Sequence, residues 1–309
     1  MLVLIFPGQG SQRPGMGAAW RDDPAWALVG QVSEVAGRDL SELLLDAGAD
    51  TLRATRNAQL ATYTLSLMAL DAVRRSSCGP ALDDQVVAVA GHSLGEYTAL
   101  AAAGSVTAEE GAGLVFARAE AMQAAADANP GTMAAVLGLE LEEVARACAE
   151  GVGAWVANDN TPGQVVVAGT VAGVEEAGRR AMGRGAKRVI PLQVGGAFHT
   201  PLMGTAQDLL DAALAQAELR PTSWPVVANV DAEPHRHGFT PLLSAQLCSR
   251  VRWRESLLTM SGLGATLFVE LGPGTELSGM VRRTVPDAAR ANVAGPADID
   301  ALAEALTVS

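Results

Sequence analysis

A serine flanked by two nearby glycines, set between an apolar run and a helical stretch, limits the folds open to this chain more than any other feature. The apolar run Val86 to Ala90 leads directly into Gly91-His92-Ser93-Leu94-Gly95, and a helical pattern begins at Glu96. A sharp strand-to-helix turn strains the backbone of its central residue and needs glycines where strand and helix approach each other. It also presents the serine hydroxyl at a helix N-terminus, where backbone N–H groups favour developing negative charge. The pattern predicts an α/β fold with a reactive serine.

Apolar runs and helical patterns alternate over most of the chain. Leu2 to Phe6 and Leu267 to Leu271 are predicted as buried strands, and Thr51 to Val73 as a helix. Thr107 and Glu110 have the spacing of a capping box that opens a helix. Alternating strands and helices predict a mostly parallel sheet with helices on both faces.

The middle of the chain has a different order of elements. After the break at Asn129-Pro130-Gly131, the predicted order is strand, helix, strand, strand, helix, strand. This βαββαβ order is typical of a ferredoxin-like unit. We therefore expect an inserted ferredoxin-like subdomain at 128–193 and a larger body formed by 1–127 and 194–309.

Charge and cysteine content argue against several classes of protein. The formal net charge of −12 disfavours nucleic-acid binding, which requires a basic surface. Cys78, Cys148 and Cys248 form no C-x-x-C pattern, so neither a disulfide framework nor a metal site is expected. No apolar stretch approaches the roughly 18 residues of a membrane span, and Met1 to Pro7 does not resemble a signal peptide. A cytoplasmic location without membrane contact is expected.

The serine requires a base, and the chain has four histidines. His92 lies beside Ser93 on a tight turn and is expected to pack or line the pocket, whereas His235 and His237 lie in a polar loop. His199 follows an apolar segment and has small neighbours. His199 is therefore the predicted base, with a buried structural histidine as the alternative.

With these residues in place, the sequence resembles the malonyl-CoA:acyl carrier protein transacylases of fatty-acid synthesis and the related acyltransferases of polyketide synthesis. The matching motifs span nearly the whole chain and occur in the family's order. They are Phe6 to Gln12, Asn57-Ala58-Gln59, Gly91 to Glu96, Arg118 with Met122, Asn158 to Gln164, Ala197-Phe198-His199, Gln246 and Gly272-Pro273-Gly274. The resemblance implies an α/β-hydrolase-like body with a ferredoxin-like insert.

The resemblance also implies roles for the catalytic residues. Ser93 would be acylated, with His199 as general base and then general acid. The imidazole would be oriented by a backbone carbonyl at Gln246, in place of a carboxylate. Backbone N–H groups of Gln9 and Leu94 would form the oxyanion hole.

Arg118 is expected to discriminate between acyl groups. The family uses an arginine here to hold the free carboxylate of malonyl, and a guanidinium suits this role because it binds carboxylates bidentately. The alternative is a solvated helix arginine that pairs with Glu120 or another nearby acid. The remaining substrate-binding residues implied by the resemblance are Gln59, His92, Met122, Asn160 and Phe198.

Two positions bear on the choice of acyl group. In the polyketide branch of the family, a bulky aliphatic residue after the nucleophile and Phe before the histidine accompany malonyl, and here these are Leu94 and Phe198. Gly196 departs from the relatives and is expected to enlarge the pocket. A transferase for a branched extender such as methylmalonyl therefore remains an alternative.

The implied partners are malonyl-CoA and an acyl carrier protein, and such carriers are acidic. Local basic patches would have to oppose the repulsion from an acidic enzyme. The first candidate patch is Arg179, Arg180, Arg184, Lys187 and Arg188. The second is Arg250, Arg252, Arg282 and Arg283. A monomer is expected.

Other activities are less consistent with the residues. A related thioester hydrolase would share Ser93 and His199 but lack the carboxylate-binding arginine, and a non-catalytic scaffold would lack the catalytic pair. Gly8-Gln9-Gly10 begins like a dinucleotide-binding motif, but Arg13 stands where its last glycine is needed. No cofactor or metal is expected, and the coenzyme A thioester serves as substrate.

Overall fold

The computed structural model describes residues 1–308, in which two separate sheets are surrounded by helices. The strands, in chain order, are β1 Leu2–Phe6, β2 Val86–Gly91, β3 Thr132–Leu137, β4 Ala154–Thr161, β5 Gln164–Gly169, β6 Arg188–Pro191, β7 Val226–Val227, β8 Pro234–His235, β9 Leu267–Leu271 and β10 Ala289–Val293. No helix of the described residues is long and apolar enough to cross a membrane.

Helices make up most of the remaining structure. In chain order they are α1 Ala27–Ala36, α2 Leu40–Leu45, α3 Ala49–Arg53, α4 Thr55–Arg75, α5 Gly79–Gln85, α6 Gly95–Ala102, α7 Ala108–Ala128, α8 Leu141–Ala149, α9 Val171–Gly183, α10 Gly204–Leu214, α11 Phe239–Gln246, α12 Trp253–Gly262, α13 Glu276–Thr284 and α14 Ile299–Val308. The predicted capping box is present, because Thr107 and Glu110 each bond the other's backbone N–H at the start of α7.

The larger sheet has the strand order β10-β9-β1-β2-β7-β8 and is parallel except for the pairing of β7 with β8. Its central strand β1 is buried on both faces. Leu4 and Phe6 pack into one core, and Val3 and Ile5 pack into the core on the opposite face. A strand that is covered on both faces has a continuous run of apolar residues in its sequence. For this reason β1 and its neighbours β2 and β9 could be predicted from the sequence.

The smaller sheet is antiparallel with the order β4-β5-β3-β6, and α8 and α9 pack against it. Its elements follow one another in the predicted βαββαβ order. Backbone bonds from Asp159 and Val251 join β4 to the segment before α12, at 2.9 Å each. The Arg254 side chain also donates to the buried carboxylate of Asp159 at 3.0 Å, so the smaller sheet is tied to the larger body at this point.

Three element predictions differ from the structure. The single helix predicted at Thr51 to Val73 is two helices, because Ala54 has φ −55° and ψ 127° and interrupts the helical backbone. The sequence also predicts a strand at Pro225 to Val230, but in the structure only β7 is a strand within this range. Strand β10 was not predicted, because it lies at the edge of the sheet, is largely exposed and has no apolar run.

Candidate active site

The turn between β2 and α6 places Ser93 at the end of a central strand. Ser93 has a φ of +51°, in the left-handed region. A Cβ on Gly91 would lie 1.8 Å from the carbonyl carbon of Gly95, and a Cβ on Gly95 would lie 2.1 Å from the backbone oxygen of Phe6. Both distances exclude any side chain, so the turn requires glycine at both positions. The predicted strain at the serine and the predicted need for glycines are confirmed.

His199 lies against the serine and is held by a backbone carbonyl. Its Nε2 is 2.8 Å from Ser93 Oγ, and its Nδ1 is 2.9 Å from the backbone oxygen of Gln246. A carbonyl oxygen can only accept, so Nδ1 carries the proton and Nε2 is free to accept from the serine hydroxyl. Burial, followed by the positive charge of Arg118, lowers the pKa of His199 to about 3. The imidazole is therefore neutral at neutral pH, as a general base requires.

Arg118 projects from α7 into the same site and is 1% exposed. Its Nη1 donates to Gln59 Oε1 at 2.7 Å, and its Nη2 donates to Ser93 Oγ and to Gln246 Oε1, both at 3.0 Å. Burial lowers the pKa of Arg118 from its usual value, but a guanidinium remains charged at neutral pH even in such a setting. The site thus contains a fixed positive charge beside the nucleophile.

The alternative interpretation of Arg118, a solvated side chain paired with Glu120, is wrong. Glu120 pairs instead with Arg38, at 2.5 Å, on the protein surface. Arg118 and Glu120 are two residues apart on α7, and such residues do not share a helix face.

A buried polar network beneath the turn was not predicted. The Gln246 Nε2 donates to the backbone oxygen of Ser93 at 3.0 Å and to Glu96 Oε2 at 2.7 Å. Asn229 accepts from the Ser93 N–H at 2.7 Å and donates to the backbone oxygen of Gly91 at 2.8 Å. The available signal was a single polar residue directly after the apolar Val226 to Ala228, at the carboxyl end of a strand.

A cavity of about 270 Å³ opens onto the catalytic pair. The predicted site residues that line it are Gln9, His92, Ser93, Arg118, Met122, Asn160, Phe198 and His199. Three predicted residues are not in its lining. Gln59 and Gln246 contact Arg118, while Leu94 is fully buried next to the serine.

The smaller sheet supplies an apolar wall of this cavity that was not predicted. Met133, Ala135 and Val166 line it, while the alternate residues Ala134 and Val136 face the core under α8 and α9. Both faces of β3 are apolar, so its alternation gives no contrast in sequence and the cavity-facing residues could not be distinguished.

His92 connects the nucleophile turn to the smaller sheet. Its Nε2 lies 2.9 Å from Asn160 Oδ1 on β4, and its ring meets the edge of Trp253 at 5.4 Å between centroids. Burial lowers the pKa of His92. The prediction that His92 packs and lines the pocket is confirmed.

Gly196 affects the pocket through Phe198, and the expectation that it enlarges the pocket stays a prediction. A Cβ at this position would lie 2.8 Å from the Phe198 ring and 2.9 Å from Ala126 Cβ. The Phe198 ring therefore occupies the space that a side chain at position 196 would take. Phe198 lines the cavity and Gly196 does not.

Two backbone N–H groups near the serine have no partner of their own. Among the hydrogen bonds of residues 1–308, none uses the N–H of Gln9 or Leu94. Leu94 is the N-cap residue of α6, where the helix dipole favours negative charge. Their role as an oxyanion hole stays a prediction.

Most of the first candidate basic patch is neutralised within the protein. Arg179 and Arg180 both pair with Glu176, and Arg184 pairs with Glu150. Such pairing leaves little net positive charge for an acidic partner.

Part of the second candidate patch is also paired with an acid. Arg250 and Arg252 pair with Glu255. Over residues 1–308, four exposed candidate cations take part in no ion pair, and these are Lys187, Arg188, Arg282 and Arg283.

A serine and a neutral histidine base beside a buried arginine form a site with the groups that acyl transfer requires. The family model described as an acyl transferase domain matches residues 3–306. The chain therefore belongs to this acyltransferase family.

Relatives with the same overall structure are known. The chain is 38% identical over 290 residues to a malonyl CoA-acyl carrier protein transacylase of Bacillus subtilis (strain 168), covering 91% of this chain and 90% of that one. An acyl-carrier-protein S-malonyltransferase of Burkholderia pseudomallei superposes with a TM-score of 0.92 at 37% identity, with 99% of each chain covered. A malonyl-transacylase solved in complex with a type II PKS acyl-carrier protein superposes with a TM-score of 0.90 at 33% identity, covering 98% of this chain and 99% of that one.

Proposed function

We propose that this protein transfers a malonyl group from malonyl-CoA to the phosphopantetheine thiol of an acyl carrier protein through a malonyl-serine at Ser93. One observation carries the proposal: Ser93 Oγ lies within hydrogen-bonding distance of both a neutral histidine and a buried arginine, His199 Nε2 at 2.8 Å and Arg118 Nη2 at 3.0 Å. The first group activates the nucleophile, and the second attracts an acyl group that ends in a carboxylate.

The first half-reaction acylates the serine. Ser93 Oγ attacks the thioester carbonyl carbon while its proton passes to His199 Nε2, and the negative oxygen of the tetrahedral intermediate accepts from the N–H groups of Gln9 and Leu94. The carbon–sulfur bond then breaks, and the coenzyme A thiolate takes the proton from His199. The Gln246 carbonyl stabilises the transient imidazolium by accepting from Nδ1.

The second half-reaction runs these steps in reverse with a different thiol. The carrier thiol gives its proton to His199 as its sulfur attacks the malonyl-serine carbonyl, and Ser93 recovers the proton when the ester bond breaks. The products are malonyl carrier protein and free enzyme. Two substrates that use one site in turn give ping-pong kinetics.

Arg118 selects the acyl group in this proposal. In the free protein, its Nη2 contacts Ser93 and Gln246 rather than an acid. A malonyl carboxylate would supply a directly bonded counter-charge in a geometry that a guanidinium binds bidentately. This arrangement favours transfer over the related hydrolase, for which a carboxylate-binding arginine is not expected.

Phe198 favours malonyl over branched extenders in this proposal, whereas Leu94 is buried and does not line the cavity. Phe198 lines the cavity, and its ring lies directly against Gly196. A methyl branch next to the thioester carbonyl would have to displace this ring, because the space behind it is filled.

In this proposal, the larger body and the smaller subdomain have different roles in the reaction. We infer an α/β-hydrolase-like body, 1–127 and 194–309, which carries the catalytic pair, and a ferredoxin-like subdomain, 128–193, which covers the acyl-serine with apolar side chains and limits access of water. A cytoplasmic monomer that needs no cofactor remains our expectation.

The carrier protein docks, in this proposal, on the exposed cations without acidic partners. Arg282 and Arg283 follow Met280 on α13, a helix that lines the cavity opening. Lys187 and Arg188 precede Leu192, which lines the same cavity from the smaller sheet. Arg179, Arg180 and Arg184, expected from the sequence to contribute, are occupied by acids.

Intact-protein mass spectrometry after incubation with malonyl-CoA, methylmalonyl-CoA or acetyl-CoA tests the proposal. We expect a malonyl adduct on the wild type that exceeds the methylmalonyl adduct and is absent from Ser93→Ala. Arg118→Ala should lower the rate of malonyl acylation relative to acetyl by about 30-fold, which corresponds to the loss of a partner for a buried charge. Arg118→Lys keeps the positive charge but lacks the planar guanidinium. Its rate of malonyl acylation relative to acetyl should lie between those of the wild type and Arg118→Ala.

Two results would contradict the proposal. An adduct that survives Ser93→Ala would eliminate the acyl-serine mechanism. Rapid release of free malonate by the wild type, with no adduct and no carrier product, would indicate the hydrolase instead.

A further inference from the structure

Glu96 is a buried acid whose position the mechanism above does not explain. It lies in the first turn of α6, three residues after the nucleophile, and its side chain is 1% exposed. Its Oε2 accepts from Gln246 Nε2 at 2.7 Å and from the Asn229 N–H at 3.1 Å. Its Oε1 is buried and has no hydrogen-bond partner among the described residues. Burying a carboxylate without a direct cation is unfavourable, so a role for it in the site is expected.

The hydrogen bond from Gln246 fixes which way its side-chain amide faces. An ionised carboxylate only accepts, so Gln246 must turn its Nε2 toward Glu96 and its Oε1 toward Arg118. The Oε1 accepts from Arg118 Nη2 at 3.0 Å, and the same Nη2 donates to Ser93 Oγ. A reversed amide would bring its NH₂ group against the guanidinium, two donors facing each other. Glu96, together with the Ser93 backbone oxygen that accepts from the same Nε2 at 3.0 Å, therefore holds the amide in the orientation that places Oε1 against the guanidinium.

The charged and titratable groups that face Glu96 come from three elements. The charged groups are Arg118 on α7 and Asp231 after β7, and the third group is the Tyr97 hydroxyl on α6, which burial keeps neutral by raising its pKa. Burial raises the pKa of Glu96 to about 7, against the hydrogen bonds from Gln246 and Asn229 and the charge of Arg118, which lower it. A group with such a pKa changes its charge across the physiological range.

We propose that Glu96 is a positioning residue for acyl selection: it orients the Gln246 amide so that Arg118 faces the substrate, and its carboxylate shares the charge of Arg118 with the carboxylate of the acyl group. The proposal rests on the proposed function, in which Arg118 binds the malonyl carboxylate. When Glu96 is ionised, two carboxylates compete for one guanidinium. When it is protonated, its carbonyl oxygen still accepts from Gln246, and the substrate carboxylate has the guanidinium to itself.

The first test compares the ratio of kcat/KM for malonyl-CoA to that for acetyl-CoA in Ser93 acylation. A substitution that disturbs Ser93 or His199 changes kcat/KM for both substrates by the same factor, so its effect cancels in this ratio. Glu96→Leu removes the acceptor and should lower the ratio by about tenfold or more, whereas Glu96→Gln keeps a carbonyl acceptor and should stay within about threefold of the wild type. Thr98→Val, a buried substitution on the same helix, should leave the ratio unchanged.

A merely structural role for Glu96 predicts a different result. Glu96→Leu would then slow malonyl and acetyl acylation equally, with a ratio within about twofold of the wild type, and that outcome would overturn the proposal. A wild type that forms no malonyl adduct at all would instead refute the proposed function, so the two failures are distinguishable.

The pH dependence of the same ratio provides a second test that needs only wild type and Glu96→Gln, in case Glu96→Leu does not fold. In the wild type, the malonyl-to-acetyl ratio should fall as the pH rises through about 7, because ionised Glu96 then competes with the malonyl carboxylate. In Glu96→Gln the ratio should be independent of pH over this range. A flat profile in the wild type, or the same fall in Glu96→Gln, would overturn the proposal.

Discussion

Ser93 and His199 both have left-handed backbone conformations, with φ of +51° and +61°, although neither is glycine. Such a conformation costs on the order of 1–3 kcal/mol per residue and persists only where surrounding contacts impose it. Here the Ser93 N–H is held by Asn229 at 2.7 Å, and the His199 ring is held by the Gln246 carbonyl at 2.9 Å. The two residues that must face each other are thus both strained, and buried amides on other elements maintain that strain.

The pH profile with acetyl-CoA tests the state of His199. Because burial and Arg118 lower the pKa of His199 to about 3, the base stays neutral as the pH falls through the usual histidine range. The rate of Ser93 acylation by acetyl-CoA, which has no carboxylate to interact with Glu96 or Arg118, should not decline between about pH 8 and about pH 5 as an ordinary histidine would require. Stopped-flow or quenched-flow acylation measures it. A titration centred near 6.5 would contradict the prediction.

The sequence predicted the site residues that belong to a short motif or to the family resemblance. It did not predict contacts between residues that lie far apart in the chain. Ser93 is identified by five consecutive residues, and His199 by elimination among four histidines. Arg118 required the family resemblance. The contacts of Asn229 with Ser93 and Glu96 span 136 and 133 residues, so nothing in their local sequence indicates that they share a network.

At the scale of elements, the nucleophile turn depends on how closely α6 approaches β1. The Gly95 position lies against the backbone oxygens of Phe6 and Pro7, at 2.1 and 3.0 Å from a hypothetical Cβ. The His92 N–H also donates to Phe6 at 3.0 Å. The neighbouring strand therefore holds the turn from one side through its backbone, and side-chain volume at position 95 would separate the two elements.

Substitution of Gly95 tests this close approach. Gly95→Ala should lower the free energy of unfolding by about 3 kcal/mol, because a backbone oxygen cannot move aside as a flexible side chain can. Gly30→Ala is the matched control, since its Cβ would meet nothing within 4 Å on the exposed side of α1, and there alanine should stabilise by up to about 1 kcal/mol. Urea denaturation of both variants measures the difference. Equal stability of the two would show that the turn relaxes without cost.

How far the elements could be predicted depended on their burial. Strands β1, β2 and β9 lie in the middle of the larger sheet and were predicted from continuous apolar runs. Strand β10 lies at its edge with two exposed residues at its start, and β7 has only two residues, so neither carries a full strand signal. The smaller sheet was predicted through its order of elements, but its cavity-facing residues were not, because both of its faces are apolar.

At the scale of the whole molecule, the net charge of −12 opposes an acidic partner. Acids on the protein pair with most of the candidate docking arginines. The unpaired cations lie on α13, which lines the cavity, and at the start of β6, which leads to the cavity-lining Leu192. In the proposed docking, these few free cations within an otherwise repulsive surface favour one approach direction over the others. Specificity for the carrier then depends on position more than on total charge.

The double variant Arg282→Ala/Arg283→Ala tests this arrangement. It should raise KM for the acyl carrier protein by about tenfold and weaken the dependence of transfer on salt, because long-range attraction is screened within about 10 Å at 0.1 M salt. Self-acylation by malonyl-CoA alone reports the first half-reaction and should change far less, so comparing the two rates isolates carrier docking.

Arg146→Ala is the matched control, since Arg146 is exposed and paired with Glu143 on α8. If Arg146→Ala raised KM for the carrier as much as the double variant did, total charge rather than the position of free cations would govern recognition. If neither variant changed it, docking would depend on Lys187 and Arg188 or on uncharged contacts around the cavity.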